Sequence, residues 1–281
     1  MPTAVESPRP SPAHWLVRHR GLAEFGIVGA CLLVYFLIRG NVVDRPASAF
    51  SHAEDVIDLE RRLRIFWEPS WQKAISGDRV QIDFWNFVYF WLHGPAIAVI
   101  AFWLYFRQRH VYYFIRNAFL VSAALALFLY AVYPVTPPRL MTPAGYHEYG
   151  IAGQAPNLGF DDTMRQYSQV SYQAESLKPF VNPFAAMPSL HLGWVFLIAL
   201  GVALALRNPF GWTVAVVWPL LMLFGITLTA NHFLLDGAAG LGVALVGLAA
   251  AIGIERIPPR VWLRLTPSFL RASPSLLPKG E

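Results

Sequence analysis

Six apolar segments constrain the fold of this chain more than any other feature. They lie at residues 22–39, 82–106, 112–133, 188–206, 211–230 and 233–254. Each approaches or exceeds the roughly 20 residues that a helix needs to cross the hydrocarbon core of a bilayer. The chain is 56% hydrophobic and only 14% charged, against about 25% charged residues in ordinary soluble domains. These features predict an all-α polytopic membrane protein, built as a bundle of six transmembrane helices.

The predicted domain organisation is simple. A membrane domain at 22–256 lies between cytoplasmic tails at 1–21 and 257–281. Ala47-Ser48-Ala49 is similar to a signal-peptide cleavage site, but it lies too far from the first apolar segment, which we therefore interpret as an anchor. Gly94-Pro95 interrupts the second segment and predicts a kink there. The only cysteine is Cys31, which excludes an intrachain disulfide.

Basic residues in the loops predict the orientation. More than half of the 22 Lys and Arg residues fall on the short segments that become cytoplasmic when the N-terminus is inside, as the positive-inside tendency requires. The long loops at about 40–81 and 134–187 are then extracytoplasmic. The net charge of +5 does not indicate nucleic-acid binding, because the basic residues are scattered and form no stripe.

Segment 53–75 has the pattern of an amphipathic helix. Its apolar residues recur at helical spacing and are Val56, Leu59, Leu63, Phe66 and Trp67. We interpret it as an interfacial helix on the outer membrane surface. Two roles stay open: a surface helix that packs on the bundle without any chemistry, or a lip that guides lipid into a site.

Two short polar clusters stand at the ends of predicted spans. They read Pro188-Ser189-Leu190-His191 and Asn231-His232-Phe233-Leu234-Leu235-Asp236. An Asp at the centre of a transmembrane helix costs about 2.5–3.5 kcal/mol unless it is paired or faces water. The clusters therefore predict a functional site, and Arg139 in the preceding loop adds a group that suits a phosphate ester.

The spacing of these residues suggests a mechanism. On a helix, His232 and Asp236 would lie one turn apart on the same face. The Asp236 carboxylate would then fix the imidazole tautomer and leave the other nitrogen free to attack phosphorus. His191, from another helix, would donate a proton to the leaving alkoxide as general acid.

Three further groups are predicted to hold the phosphate. Ser189 and the first amides of the helix that opens at Pro188 form an anion site, and Arg139 adds a planar fork that matches phosphate oxygens. The reaction would pass through a phosphohistidine and need no metal and no cofactor.

Other interpretations remain open at this point. Asn231, His232 and Asp236 also fit a helix cap with a hydrogen-bonded pair. His191, His232 and Asp236 could hold iron, and a small transporter would also carry polar residues, although usually nearer mid-membrane. A serine protease built on Ser189 and His232 would leave Arg139 and His191 without a role. Four other histidines are interpreted as interfacial or packing residues: His52, His93, His110 and His147.

Pro188-Ser189-Leu190-His191 and His232-x-x-x-Asp236 resemble the second and third signature motifs of the type 2 phosphatidic acid phosphatase superfamily. Tyr133-Pro134-Val135-Thr136-Pro137-Pro138-Arg139-Leu140 resembles the first motif in its inositol phosphorylceramide synthase-like branch. Leu190, where most of these phosphatases carry glycine, points to the same branch. So do Gly159-Phe160-Asp161-Asp162-Thr163 and Asn182-Pro183-Phe184-Ala185-Ala186-Met187, which resemble segments common in its bacterial members.

The resemblance implies a metal-independent reaction at the membrane surface. It makes His232 the nucleophile, Asp236 its orienting partner and His191 the acid and base, while Arg139, Ser189 and Leu190 belong to the phosphate site. Two basic residues of the family pattern are missing here: the lysine before the first-motif arginine, and an arginine whose place Ile226 takes. Lys178 or Arg165 is predicted to supply a missing positive charge, and Asn231 is a further candidate for the site.

The implied activity is a lipid phosphatase or a phosphotransferase. Water that resolves the phosphohistidine would make the protein a phosphatase of a phosphorylated lipid. A lipid or polyol hydroxyl would make it a transferase of a phospho-head group. The expected location is a bacterial plasma membrane, with the site on the extracytoplasmic face.

Overall fold

All regular secondary structure that the structure describes is helical. The computed structural model describes residues 20–41, 45–153, 155–167 and 182–256. The helices there are α1 (Arg20–Asn41), α2 (Pro46–Leu63), α3 (Glu68–Ile75), α4 (Arg79–Trp91), α5 (Gly94–Arg107), α6 (Arg109–Val132), α7 (Pro143–Glu148), α8 (Thr163–Tyr167), α9 (Leu190–Leu206), α10 (Pro209–Leu228) and α11 (Leu234–Glu255). Pro138–Leu140 adds a 3-10 turn, and an isolated bridge joins Val135 to Ala185. The all-α prediction is confirmed.

Four of the described helices are long and apolar enough to cross a membrane. These are α1, over Gly21–Arg39, together with α6, α10 and α11. Helices α4 and α5 pass the same test as a pair, bent by 42°, and the break directly before Gly94-Pro95 confirms the predicted kink. Helix α9 is apolar but has 17 residues, or about 26 Å, against a core of about 30 Å. Four or five candidate spans are therefore shown, and the number six stays a prediction.

The chain divides into two compact units. Tyr35–Ile252 forms one of them, and all packing described below lies within it. The other unit comprises Met1–Val34 and Gly253–Glu281; its described residues, 20–34 and 253–256, are helical apart from a turn at Arg256. The predicted tails lie almost wholly outside the described residues.

The predicted amphipathic helix is in fact two helices. Arg64 takes the left-handed conformation with φ 59°, and the Ile65 amide donates to the Glu60 carbonyl at 2.9 Å, which ends α2 before α3 begins. Leu59 and Leu63 of the predicted apolar face are exposed, whereas Val56 and the charged Glu60 are buried. The buried face of α2 packs against the 133–187 loop in a shared core that includes Phe50, Ala53, Val56, Ile57, Val135, Met141, Phe184 and Phe233. Its placement at the membrane interface stays a prediction.

The start of α9 is fastened to α11 and α6. The Ser189 amide donates to the Asp236 carbonyl at 2.8 Å, and the Tyr130 hydroxyl donates to the Pro188 carbonyl at 2.8 Å. Gly240 on α11 lies so close that a Cβ there would stand 2.0 Å from the Ser189 carbonyl oxygen. The two polar clusters are therefore brought together by direct backbone packing.

Candidate active site

His232 lies in the link between α10 and α11, not on a helix. Helix α10 ends at Leu228, and Ala230 turns the chain with φ 52°. The amides of Asn231 and His232 both donate to the Ile226 carbonyl, at 3.1 and 3.0 Å. The expectation that His232 and Asp236 share one helical face is therefore wrong. The two side chains still meet, because the link folds back onto the first turn of α11.

Nδ1 of the His232 ring has one hydrogen-bond acceptor and a carboxylate beside it. Its Nδ1 lies 2.9 Å from the Ala186 carbonyl oxygen and 3.5 Å from Asp236 Oδ2. A carbonyl oxygen can only accept, so Nδ1 carries the proton and Nε2 of the neutral ring keeps its lone pair. His232 is 5% exposed and Asp236 is fully buried. Asp236 therefore lies where an orienting carboxylate is expected, although the shorter contact is to Ala186, which sequence reasoning did not find.

His191 faces His232 across the site. Its Nδ1 lies 3.4 Å from His232 Nε2. The His191 ring stacks on Tyr89 with centroids 4.4 Å apart, and it lies 4.1 Å from the ring of His93. His93 had been interpreted as a packing or interfacial residue. The structure places it in the histidine cluster, and only its position beside the Gly94-Pro95 break could have suggested this.

Ser189 and Leu190 form the start of α9. Ser189 is its N-cap residue, and the Ser189 Oγ is buried with no hydrogen-bond partner in the part of the chain described. Leu190 is 5% exposed and begins the helix. The Ser189 amide is already used by the Asp236 carbonyl, so only the hydroxyl of this residue is left for a ligand.

Arg139 is fixed at three points. Its amide donates to the Ala230 carbonyl at 2.8 Å, Nε donates to Asn231 Oδ1 at 3.0 Å, and Nη1 pairs with Asp162 Oδ2 at 3.0 Å. A guanidinium has five N–H donors, so the contacts of Nε and Nη1 leave three. Asn231, which directly precedes His232, thus ties Arg139 to the nucleophile candidate. The contribution of Asp162 was not predicted.

The predicted substitutes for the missing family cations lie elsewhere. Arg165 is exposed and pairs with Glu148 at 3.6 Å, so no described contact joins it to the histidines. Lys178 lies outside the described residues. Ile226 is fully buried. Another cation lies over a tyrosine that contacts the start of α9: the Arg39 guanidinium is 6.0 Å from the centroid of the Tyr130 ring.

The comparisons with known proteins identify the family of this chain. A family model described as the PAP2 superfamily matches residues 54–250, which include both histidines, Asp236 and Arg139. The protein is an integral membrane protein of a phosphatase or phosphotransferase type. It belongs to the PAP2 superfamily, whose members are generally phosphatases. No curated protein and no solved structure matches the chain significantly. Among the described residues, no three His, Cys, Asp or Glu side chains are grouped to hold a metal ion.

Proposed function

We propose that this protein cleaves a phosphoester of a membrane lipid through a covalent phosphohistidine on His232. The observation that carries the proposal is the pair of contacts made by the His232 ring. Nδ1 donates to the Ala186 carbonyl with Asp236 beside it, so that Nε2 points to His191. A protonated, anchored Nδ1 and an unprotonated Nε2 are the state that a histidine nucleophile needs.

The proposed reaction has two half-reactions. In the first, the Nε2 lone pair attacks phosphorus, the bond from phosphorus to the lipid oxygen breaks, and His191 gives its proton to that oxygen. In the second, a hydroxyl gives its proton to His191 and attacks phosphorus, and the bond from phosphorus to Nε2 breaks. Asp236 stabilises the imidazolium that exists between the two steps.

The contact between the histidines implies that substrate parts them. A nucleophile approaches phosphorus at about 3–3.5 Å, and the leaving oxygen lies roughly in line on its far side. The 3.4 Å between His232 Nε2 and His191 Nδ1 is too short to hold both atoms. His191 is expected to move, because stacking on Tyr89 permits sliding whereas His232 is held by hydrogen bonds.

The phosphate is proposed to be held by Arg139, the Ser189 hydroxyl and the first turn of α9, starting at Leu190. A helix N-terminus attracts anions, and fixed donors stabilise the charge that develops in the transition state. Arg39 is proposed to replace one missing family cation, since its guanidinium lies above the ring of Tyr130, whose hydroxyl donates to the Pro188 carbonyl at the start of the phosphate site. These groups work without a metal ion or cofactor.

The second half-reaction decides whether the protein is a phosphatase or a transferase. The first-motif loop at 133–140 and Leu190 resemble the inositol phosphorylceramide synthase-like branch, which favours transfer of a phospho-head group to a lipid or polyol hydroxyl. Superfamily members generally are phosphatases, which favours water. The loop charges favour a site on the extracytoplasmic face of a bacterial plasma membrane, with α2 and α3 lying near the interface.

The test uses purified protein with 32P-labelled phospholipids, with and without inositol lipids or diacylglycerol as acceptors. Wild-type protein is expected to form an acid-labile phosphoenzyme and to release phosphate or form a new phospholipid. His232→Ala should remove both signals while the protein stays in the membrane. His147→Ala, which changes an exposed histidine on α7, is the control. A phosphoenzyme that persists in His232→Ala would refute the assignment of the nucleophile.

A further inference from the structure

Three consecutive amides at the start of α11 are bound by three carboxyl groups. The Phe233 amide donates to Asp236 Oδ2 at 2.9 Å, the Leu234 amide to Glu68 Oε1 at 2.7 Å and the Leu235 amide to Glu60 Oε1 at 2.8 Å. Asp236 belongs to α11 itself, whereas the glutamates come from α2 and α3. Helix starts leave four amides without helical partners, and here carboxyl oxygens satisfy three of them in sequence.

Both glutamates are buried without a basic partner. Glu60 and Glu68 are fully buried, and the second oxygen of each has no hydrogen-bond partner among the described residues. No ion pair joins either one to a basic side chain in that part of the chain. The titratable groups that face Glu60 are Glu68 on α3 and Asp236 on α11, and all of them are acids. Ionising every member of this group would bring like charges together in a dry environment.

Protonation of Glu60 reduces this conflict. Burial, followed by the charge of Glu68, raises the pKa of Glu60 to about 9, and burial raises the pKa of Glu68 as well. Glu60 therefore keeps a proton at neutral pH. A carboxyl oxygen can accept a hydrogen bond whether the group is ionised or protonated, so both hydrogen bonds to α11 persist.

We propose that Glu60 and Glu68 form a carboxyl clamp that positions His232 and Asp236 for catalysis. The clamp accepts hydrogen bonds from the amides of Leu234 and Leu235. The preceding amide, that of Phe233, donates to the Asp236 side chain. The Asp236 backbone carbonyl accepts from the Ser189 amide. Movement of the first turn of α11 would shift the nucleophile candidate, its carboxylate and the start of α9 together. The catalytic part of this inference rests on the proposed function; the hydrogen-bonded clamp does not.

The amino-acid sequence explains why the clamp reaches this place. Glu60 lies in the last turn of α2 and Glu68 is the first residue of α3. The left-handed Arg64 ends α2 between them, and one short segment presents two carboxyl groups to the same helix end. The segment 53–75 therefore has a role beyond covering the bundle.

The experiment compares Glu60→Ala and Glu60→Gln in the full-length protein. Alanine removes the acceptor, so kcat is expected to fall about tenfold or more with KM little changed, since small displacements of reacting groups are costly. Glutamine keeps an acceptor oxygen and mimics the protonated acid, so kcat at neutral pH should stay within a few-fold of wild type. Asp58→Asn, on the exposed face of α2, is the matched control and should change neither parameter.

The pH dependence of the melting temperature and of kcat distinguishes a positioning role of Glu60 from a role in packing alone. The folded protein holds a proton on Glu60 up to about pH 9, which the unfolded chain loses near 4.5. Stability that is present below pH 4.5 is therefore lost as the pH rises towards 9. Glu60→Gln cannot titrate, so its melting temperature should fall less over this range. The kcat of the wild type is expected to decline as Glu60 ionises at alkaline pH, and that of Glu60→Gln is expected to decline less.

Two results would overturn the clamp. One is a folded Glu60→Ala variant with wild-type kcat. The other is a Glu60→Gln variant whose melting temperature depends on pH as the wild type does. Melting is measured without substrate, so this second result tests the clamp independently of whether His232 is the nucleophile.

Discussion

Gly240→Ala is the most informative substitution, because the backbone of α11 at Gly240 lies directly against the Ser189 carbonyl at the start of α9. A Cβ at Gly240 would lie 2.0 Å from the Ser189 carbonyl oxygen and 2.8 Å from its carbon, whereas carbon and oxygen normally meet at about 3.3 Å or more. The start of α9 must therefore move by about 1 Å or more. Overpacking of this kind costs about 1–3 kcal/mol, and a displacement of 1 Å at a catalytic centre can cost about 100-fold in rate.

The control for this substitution is two residues away. A Cβ at Gly242 meets nothing within 4 Å, so Gly242→Ala should gain only the helix propensity of alanine, about 1 kcal/mol at most. Turnover of a labelled lipid substrate and thermal unfolding are measured for both variants. We expect Gly240→Ala to lose activity by about 100-fold while Gly242→Ala keeps it. Equal activity in both variants would refute the argument that α9 and α11 are held in register by this contact.

Three further predictions concern the site and its surroundings. Strong chelators should leave turnover intact and vanadate should inhibit it, because the proposed groups hold five-coordinate phosphorus without a metal; activity restored by one divalent metal would contradict this. Asn231→Ala should lower kcat/KM about 10- to 100-fold, since Arg139 loses a charged hydrogen bond worth about 1.5–3 kcal/mol; an unchanged kcat/KM would show that Asn231 does not position the guanidinium. In a Cys31→Ser background, a cysteine at Asn157 should react with an impermeant thiol reagent in intact cells, and one at Gln108 only after permeabilisation; the reverse pattern would place the site in the cytoplasm.

The candidate site was partly predictable because its residues occur in short, ordered motifs. Ser189 and His191 lie within four residues of each other, and so do His232 and Asp236. The structure brings both pairs together as expected. The prediction failed in detail where it assumed a helix: His232 precedes α11, and its shorter contact is to a backbone carbonyl, which no side-chain motif announces.

Three residues that the sequence did not reveal lie far along the chain from the motifs that they contact. Glu60 and Glu68 reach α11 across more than 160 residues. His93 reaches His191 from the break between α4 and α5. In the sequence, Glu60 has the position of an ordinary charged residue on the polar face of an amphipathic helix. Helical periodicity cannot distinguish a solvated carboxylate from one that binds the end of a distant helix.

The sequence by itself determined the helical class, the apolar segments, the kink at Gly94-Pro95 and the residue types of the candidate site. These depend on hydrophobic length and on local backbone chemistry, which any stretch of chain carries with it. The tertiary structure decided which face of α2 is buried, which acceptor holds His232 and which acids cap α11. Those outcomes depend on what packs against each group, because burial and hydrogen-bond partners exist only once distant segments have met.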